Sequence, residues 1–311
     1  MRAFLIKSFL LFHFTGLSGL GAVYEFSGLI PAKSLLISAY QDSTPPVIHI
    51  SRPVSISQYF RYLDSLINEI NTSFQLNLTE HTLLHSNAWL IDSLNATDYY
   101  KMKQAGIQVL NQRNIAILKP PESLRIPDED QINAIQTWLD SNWIDINLPE
   151  FKLRICHSDS LLFSFPVRIG QNKKRFLKLA GKVVDLRTVT GTGSIVRQDK
   201  APYFINPVDG KHFTQTTRDD GVRTEMPLIP WLEVEINGKR LGQMIHPTTN
   251  PKTIEKPYSN GCIGTREGDA WMIYYYAPIG TRVVIRYDLE VVTGQGDTIH
   301  LKDIYGYHKV K

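Results

Sequence analysis

The sequence predicts an α+β protein in which an N-terminal helical module precedes a mostly β region. Between residues 50 and 142, apolar residues such as Ile56, Phe60 and Leu63 recur at steps of three and four, which gives a helix one apolar face. From Trp143 onward the pattern changes to period two, and apolar residues alternate with polar or small ones as in half-buried strands. The length of 311 residues is enough for one or two domains with a proper hydrophobic core.

The charge balance is mildly basic, with a formal net charge of +4 and an isoelectric point near 8.9. Such a balance is compatible with an anionic polymer as a partner. It is far too weak to predict nucleic-acid binding, which requires a strongly basic patch or stripe.

The N-terminus predicts export from the cell. Basic residues at Arg2 and Lys7 precede an apolar run over residues 8–23, which is the order found in secretory signals. The cleavage site stays open, because no clear small-x-small site follows and residues 29–39 are also apolar. Residues 1–40 are therefore either a signal segment that is removed or a membrane anchor that is kept, joined to the start of a linker.

Two further helices are predicted in the helical module, which spans residues 50–142. Asn95-Ala96-Thr97 predicts a cap for a helix that runs to Lys103. Pro127-Asp128-Glu129-Asp130 predicts the start of another, because proline suits the first turn and acidic residues suit the positive end of the helix dipole. The module is expected to pack on the β region as a scaffold, and a binding role for it is the alternative.

The predicted β region spans residues 143–288, and residues 289–311 form a polar tail without an assigned role. One helix is expected inside the β region, over residues 266–277, and Pro278 ends it. Its large aromatic side chains are expected to lie in the core: Trp271, Tyr274 and Tyr275.

The stretch with the clearest chemistry contains His246 and, after twelve residues, the turn Ser259-Asn260-Gly261-Cys262. A cysteine is a useful nucleophile as its thiolate, with an unperturbed pKa near ~8.5, and a nearby imidazole can accept its proton. Gly261 permits a positive φ, so the chain can turn sharply and aim backbone N–H groups at a developing oxyanion. One segment thus supplies a nucleophile, a base and oxyanion donors.

The pattern that starts at His246, His-x12-Ser-x-Gly-Cys-Ile, resembles the signature of the L,D-transpeptidases, the YkuD-type catalytic domain. Residues 145–153 and 164–170 look like the opening strands of that family, and residues 280–285 look like its closing strand. The resemblance therefore covers roughly residues 143–288 and implies a mostly β, YkuD-like catalytic domain there.

The resemblance implies cysteine acyl transfer on the stem peptides of peptidoglycan, in a protein exported to the periplasm or cell envelope of a bacterium. Cys262 is the implied nucleophile, and His246 the base that takes the thiol proton and later protonates the leaving amine. The backbone N–H groups of Cys262 and of Gly261 or Asn260 are the implied oxyanion donors, and Ser259 orients the turn or the histidine. The amine of a second stem then forms a 3–3 cross-link, and no metal or cofactor is implied.

Two positions depart from the pattern of the family. Asn260 stands where a second histidine is usual, and Gly264 stands where an arginine or asparagine is usual. Because glycine has no side chain with which to contact a substrate carboxylate, Arg266 is the expected substitute. Met226 and Thr265 complete the predicted substrate-binding residues.

Several alternatives stay open. Water as acceptor would make the protein an L,D-carboxypeptidase or endopeptidase, and the departures at Asn260 and Gly264 would suit an inactive peptidoglycan-binding protein. Cys156 and Cys262 are expected to be free thiols rather than a disulfide. A zinc site is disfavoured, because His246 and Cys262 lack the paired ligand spacings of such sites. The sequence does not indicate the oligomeric state.

Overall fold

The computed structural model describes the backbone of residues 22–25 and 35–39, and both backbone and side chains of residues 46–292, 294 and 296–308. The predicted export segment, residues 1–40, falls largely outside the described residues. The helices in the described part of the chain are α1 (Ile56–Phe74), α2 (Glu80–His85), α3 (Trp89–Ala96), α4 (Tyr99–Gln104), α5 (Glu129–Asp140) and α6 (Glu267–Tyr276). Short 3-10 helices occupy Gln112–Asn114, Lys178–Ala180 and Pro251–Thr253.

The described strands are β1 (Ala22–Glu25), β2 (Leu35–Ala39), β3 (Val47–Ile50), β4 (Val54–Ser55), β5 (Ala116–Leu118), β6 (Ser123–Arg125), β7 (Asn142–Asn147), β8 (Lys152–His157), β9 (Ser160–Pro166), β10 (Ile169–Gly170), β11 (Lys174–Leu177), β12 (Lys182–Asp185), β13 (Gly191–Asp199), β14 (Gln215–Thr217), β15 (Arg223–Glu225), β16 (Trp231–Ile236), β17 (Lys239–Pro247), β18 (Pro257–Ser259), β19 (Ile263–Thr265), β20 (Arg282–Arg286), β21 (Glu290–Val292) and β22 (Thr298–His300). Eight of them form the main sheet in the order β19-β17-β16-β13-β20-β7-β8-β9. The predicted α+β class, helices first and then a mostly β region, is confirmed.

The main sheet is mixed. β20 pairs with β7 and β17 pairs with β19 in parallel, and the other neighbours are antiparallel. The parallel β17–β19 pair is the one that matters for chemistry, because it aligns the segment around His246 with the segment that follows Cys262.

The predicted helices of the module form as their sequences indicate. α1 buries Ile56, Phe60 and Leu63 on one face, in agreement with their spacing. α5 begins after Asp128, whose carboxylate accepts the N–H of Gln131 at 2.8 Å, while the Gln131 side chain accepts the N–H of Asp128 at 3.2 Å. This reciprocal capping satisfies two backbone donors that otherwise lack partners.

The predicted cap at Asn95-Ala96-Thr97 is wrong. α3 runs through Asn95, and the next helix, α4, begins after Asp98. One carboxylate oxygen of Asp98 accepts the N–H groups of Tyr100 at 2.9 Å and Lys101 at 3.2 Å, and the other accepts the N–H of Gly268 at 3.0 Å. Asp98 therefore caps α4 through one oxygen and binds the start of α6 through the other.

α6 is the most deeply buried helix of the β region. It packs against α2 and α3 of the helical module and against β17 of the main sheet. Every residue of the helix is buried except Tyr276. Trp271, Tyr274 and Tyr275 lie in the core as predicted, each with no exposed surface.

Two histidines of the helical module close the C-terminal end of α6. His81 Nε2 lies 3.1 Å from the carbonyl oxygen of Tyr274, and His85 Nε2 lies 2.9 Å from that of Tyr275. Burial lowers the pKa of both rings, that of His81 to about 4, so they stay neutral and donate through Nε2. These bonds satisfy carbonyl groups that no later turn of the helix can reach.

The helical module and the β region share one hydrophobic core. A single cluster of buried residues contains Leu63 and Leu90 from the module and Ile146 and Trp271 from the β region. The division of the chain at residues 142 and 143 stays a prediction. None of the helices in the described part of the chain combines the length and apolar character needed to cross a membrane.

Candidate active site

The turn at residues 259–262 is held together by the side chain of Ser259. Its hydroxyl donates to the carbonyl oxygen of Cys262 at 2.5 Å and accepts the N–H of Gly261 at 3.2 Å. Gly261 has a φ of +111°, a region open to glycine, as the sequence predicts. Ser259 therefore orients the turn rather than His246, and the N–H of Gly261 is already paired inside it. Asn260 is half-buried in the same turn.

A second set of contacts holds the turn from outside. Thr188 Oγ1 donates to the carbonyl oxygen of Gly261 at 3.1 Å and accepts the N–H of Gly170 at 2.9 Å. Tyr305, in the C-terminal tail, accepts the N–H of Thr188 at 3.2 Å and donates to the carbonyl oxygen of Gly170 at 2.8 Å. The tail, which has no predicted role, therefore braces the turn that carries the cysteine.

The strand register puts the predicted nucleophile and base on one face. β19 begins directly after Cys262, and in its parallel pairing with β17 Ile263 lies opposite Ile245 and Gly264 lies opposite His246. Side chains alternate between the two faces of a sheet, and both isoleucines are buried in the core. Extended one residue before β19, the same alternation places Cys262 on the face from which His246 projects, two positions along the register from it.

The ring of His246 is fixed by two contacts. Its Nδ1 lies 2.9 Å from the carbonyl oxygen of Pro247, which can only accept, so Nδ1 carries the proton and Nε2 is free to take one. The indole of Trp231 stacks on the imidazole, with ring centroids 4.6 Å apart and 27° between the planes. Pro247 thus orients the imidazole of the predicted base, in the way that the third member of a catalytic triad does. Trp231 lies outside the predicted motif.

Both groups are uncharged at neutral pH. Burial lowers the pKa of His246 to about 4, and the positive charge of Arg168 adds to the shift, while the bond to Pro247 opposes it. Burial raises the pKa of the Cys262 thiol, although a hydrogen bond from the backbone of Met244 and the charge of Arg168 oppose the shift. A preformed thiolate–imidazolium pair is therefore disfavoured.

Neither cysteine forms a disulfide. Cys156 is buried on β8, and Cys262 is partly exposed in its turn. Within residues 46–292, 294 and 296–308, no three His, Cys, Asp or Glu side chains are grouped so that they could hold a metal ion. Cys262 is thus the accessible thiol of the two.

The rate at which iodoacetamide alkylates Cys262 is expected to keep rising with pH through about 9, because burial raises the pKa of this thiol above its ordinary value. The measurement uses a Cys156→Ala background, so that one thiol is followed. A plateau below about pH 8 would show a preformed thiolate and contradict the uncharged pair.

Arg168 is a further residue near the site that the sequence motif does not reveal. The backbone N–H of Arg168 donates to the carbonyl oxygen of Gly264 at 2.8 Å, and the backbone N–H of Gly264 donates to the carbonyl oxygen of Arg168 at 3.0 Å. His246, Gly264 and Arg168 therefore form one row across three neighbouring segments. The Arg168 side chain covers Gly264, since a Cβ added there would lie 2.3 Å from Nε and 2.6 Å from Cγ. The missing side chain at Gly264 is the only hint of this in the sequence.

The other predicted substrate-binding residues lie around the turn. Arg266 is exposed at the N-terminus of α6, and Thr265 is fully buried with its hydroxyl donating to the carbonyl oxygen of Arg266 at 3.0 Å. Met226 is half-buried, and its carbonyl oxygen accepts a bond from Arg113 at 2.9 Å. Among the described residues no hydrogen bond or ion pair links Arg266 or Met226 to the Cys–His pair. The substrate roles of these three residues stay predictions.

Comparisons with known proteins bear on the β region. Residues 141–285, a little under half of the chain, match the model of the YkuD family, the L,D-transpeptidase catalytic domain. A comparison with curated proteins finds no match.

Three solved structures illustrate the similarity. An L,D-transpeptidase from Xylanimonas cellulosilytica is 15% identical over 61% of this chain and 79% of that chain, with a TM-score of 0.35. One from Mycobacterium smegmatis is 13% identical over 47% of this chain and 58% of that chain, less than two thirds of its length, with a TM-score of 0.32. The catalytic domain of the E. faecium enzyme is 14% identical over 47% and 98% of the two chains, with a TM-score of 0.31.

The family match contains the turn at residues 259–262 and the histidine that the strand register puts on the same face. The segment from residue 141 to residue 285 is therefore similar to the L,D-transpeptidase catalytic domain of the YkuD family.

Proposed function

We propose that this protein is a peptidoglycan L,D-transpeptidase that uses Cys262 as nucleophile and His246 as general base and acid. The observation that carries the proposal is the geometry of the base: Nδ1 of a neutral imidazole is fixed by Pro247, and Nε2 remains open on the face from which Cys262 projects. A neutral imidazole beside a neutral thiol is suited to taking a proton during attack rather than before it.

In the first half-reaction, the Cys262 sulfur attacks the carbonyl carbon that joins the diamino acid of a tetrapeptide stem to its terminal D-alanine. His246 Nε2 takes the thiol proton as the S–C bond forms and the carbonyl oxygen becomes an oxyanion. Collapse of this intermediate breaks the C–N bond, and His246 gives its proton to the departing amine. The backbone N–H groups of Cys262 and Asn260 are the proposed oxyanion donors, and losing one such donor typically costs about 3 kcal/mol of barrier.

In the second half-reaction, an amine from another stem attacks the thioester. His246 takes a proton from the amine, the new amide bond forms, and the S–C bond breaks as the sulfur regains a proton from His246. The product is a 3–3 cross-link, and the free thiol is restored. This substrate requires export to the cell envelope, which the basic and apolar start of the sequence supports.

Product analysis tests this function. Purified protein is incubated with disaccharide tetrapeptide stems, and the products are separated and identified by mass spectrometry; a carbapenem serves in parallel as a covalent probe of the nucleophile. A cross-linked dimer together with acylation at Cys262 is expected. Tripeptide alone would identify the hydrolytic activity instead, and the absence of both product and adduct would remove acyl transfer.

A further inference from the structure

Arg168 is a mostly enclosed cation with few partners. Its Nη1 donates to Thr253 Oγ1 at 3.2 Å, while its Nε is buried and has no hydrogen-bond partner. None of the ion pairs formed by the described side chains includes Arg168, whereas the buried guanidinium of Arg218 is paired with the carboxylate of Glu267. A buried cation without a counter-ion is costly, so a position that keeps one needs a reason.

The position of the Arg168 side chain gives a reason for a cation without a counter-ion. Arg168 lies over Gly264, in the row that begins at His246, and its charge acts on the pKa of both Cys262 and His246. An anion bound to this guanidinium would therefore be next to the atoms that react. A guanidinium offers a fork of N–H donors that matches the two oxygens of a carboxylate.

The glycine at position 264 fits the same explanation. Gly264 is absent from the positive-φ glycines of the chain, so its backbone does not require glycine. What requires it is space, because a Cβ would lie 2.3 Å from Arg168 Nε. Residue 264 thus has no side chain, and the space is occupied by the side chain of Arg168, which lies 96 positions earlier in the sequence.

We propose that Arg168, lying in the space left by Gly264, binds a carboxylate of the substrate beside the bond that Cys262 attacks. This inference rests on the proposed function for the identity of the substrate. Two carboxylates of a tetrapeptide stem share the required chemistry, the terminal carboxylate of D-alanine and the side-chain carboxylate of the diamino acid.

The test compares kcat/KM on three stems: one with both carboxylates free, one with the terminal carboxylate amidated, and one with the diamino acid amidated. Arg168→Gln is expected to lower kcat/KM on the free stem by about tenfold or more, and Arg168→Lys nearly as much, because lysine lacks the fork. Arg175→Gln, at an exposed arginine, is the matched control and should stay within about twofold of wild type.

The amidated stems identify the carboxylate. One of the two amidated stems lacks the carboxylate that Arg168 binds. On that stem, the kcat/KM of the wild-type protein should fall to that of Arg168→Gln, and the kcat/KM of Arg168→Gln should not change. Three results would overturn the proposal: a change within about twofold for Arg168→Gln, an equal loss on all three stems, or a loss confined to Arg266→Gln. An equal loss would mean that Arg168 acts on the thiol alone.

A binding measurement separates this proposal from the proposed function. In a Cys262→Ala protein, which cannot react, calorimetry compares the affinity for the free stem with and without Arg168→Gln. Weaker binding by about tenfold supports the carboxylate site even if wild type turns over no stem, and equal binding or none overturns it. If Arg168→Gln melts early, Gly264→Ala replaces it, since the added Cβ displaces the guanidinium while keeping its charge.

Discussion

Cys262→Ser is expected to lower turnover on tetrapeptide stems by about a thousandfold or more while the fold stays intact. The hydroxyl of serine does not ionise near neutral pH and is a far weaker nucleophile than a thiolate. The turn itself should survive, because Ser259 and Thr188 hold it through backbone atoms of Gly261 and Cys262. Turnover by product analysis and melting by circular dichroism are the two measurements.

Cys156→Ser provides the matched control, since it makes the same chemical change at the other free cysteine. Cys156 is buried on β8 opposite Trp143, away from the turn. This variant is expected to melt somewhat earlier, because a buried hydroxyl needs a partner, and to keep its turnover. If Cys262→Ser keeps more than about a tenth of the wild-type turnover at an unchanged melting temperature, the thiol is not the nucleophile.

Arg218→Met is expected to lower the free energy of unfolding by about 3–5 kcal/mol. The buried guanidinium of Arg218 pairs with Glu267 and donates to Gln112 Oε1 and Thr224 Oγ1, both at 2.8 Å. Glu267 is also buried and accepts the N–H of Tyr99 at 3.0 Å. Removing the arginine leaves a buried carboxylate without its cation, between the helical module and α6.

The loss in free energy of unfolding caused by Arg218→Met should be larger at higher pH. Burial raises the pKa of Glu267, and Arg218 opposes that shift, so the variant should have a still higher pKa in the folded state. A carboxyl with a raised folded pKa gives its full stability below the unfolded pKa, and that stability is lost as pH rises through the folded pKa. Urea unfolding should therefore show a larger deficit at about pH 8 than at about pH 5.

The double variant Arg218→Met, Glu267→Met separates the charge from the packing. Replacing both members of a buried ion pair with apolar groups is often nearly neutral, so the double variant should recover most of the loss and its stability deficit should not depend on pH. Equal losses in the single and double variants would instead locate the cost in packing, including the contact of the Arg218 guanidinium with the Tyr99 ring at 4.4 Å.

Structural features that depend on residues close together in the sequence were predictable from it. The face of α1, the capping box at Asp128 and the glycine turn at Gly261 each depend on residues a few positions apart, and each forms as expected. The helix after the cysteine was also predictable, because its aromatic residues and the proline that follows it are local signals. The predicted cap at Asn95 is wrong because α3 extends through Ala96, and Asp98, also a favoured N-cap residue, caps the next helix.

The surroundings of the cysteine depend on distant pairings. Arg168 meets Gly264 only through the register of separate segments, and Tyr305 reaches Thr188 from the far end of the chain. A single sequence contains no period or spacing that joins such positions. The departure at Gly264 was visible in the sequence, but the side chain that covers this glycine, Arg168, was not. The substrate role of Arg266 stays a prediction.

The hydrogen bonds at the two ends of α6 limit where genetic recombination can divide this chain. Asp98 binds the N–H of Gly268 near the start of the helix, and His81 and His85 bind the carbonyl oxygens at its end. A genetic exchange near residue 142 would join the β region to a partner without these three side chains and leave buried backbone groups unsatisfied. The helical module and the β region are therefore expected to pass between genomes together, as one unit of recombination.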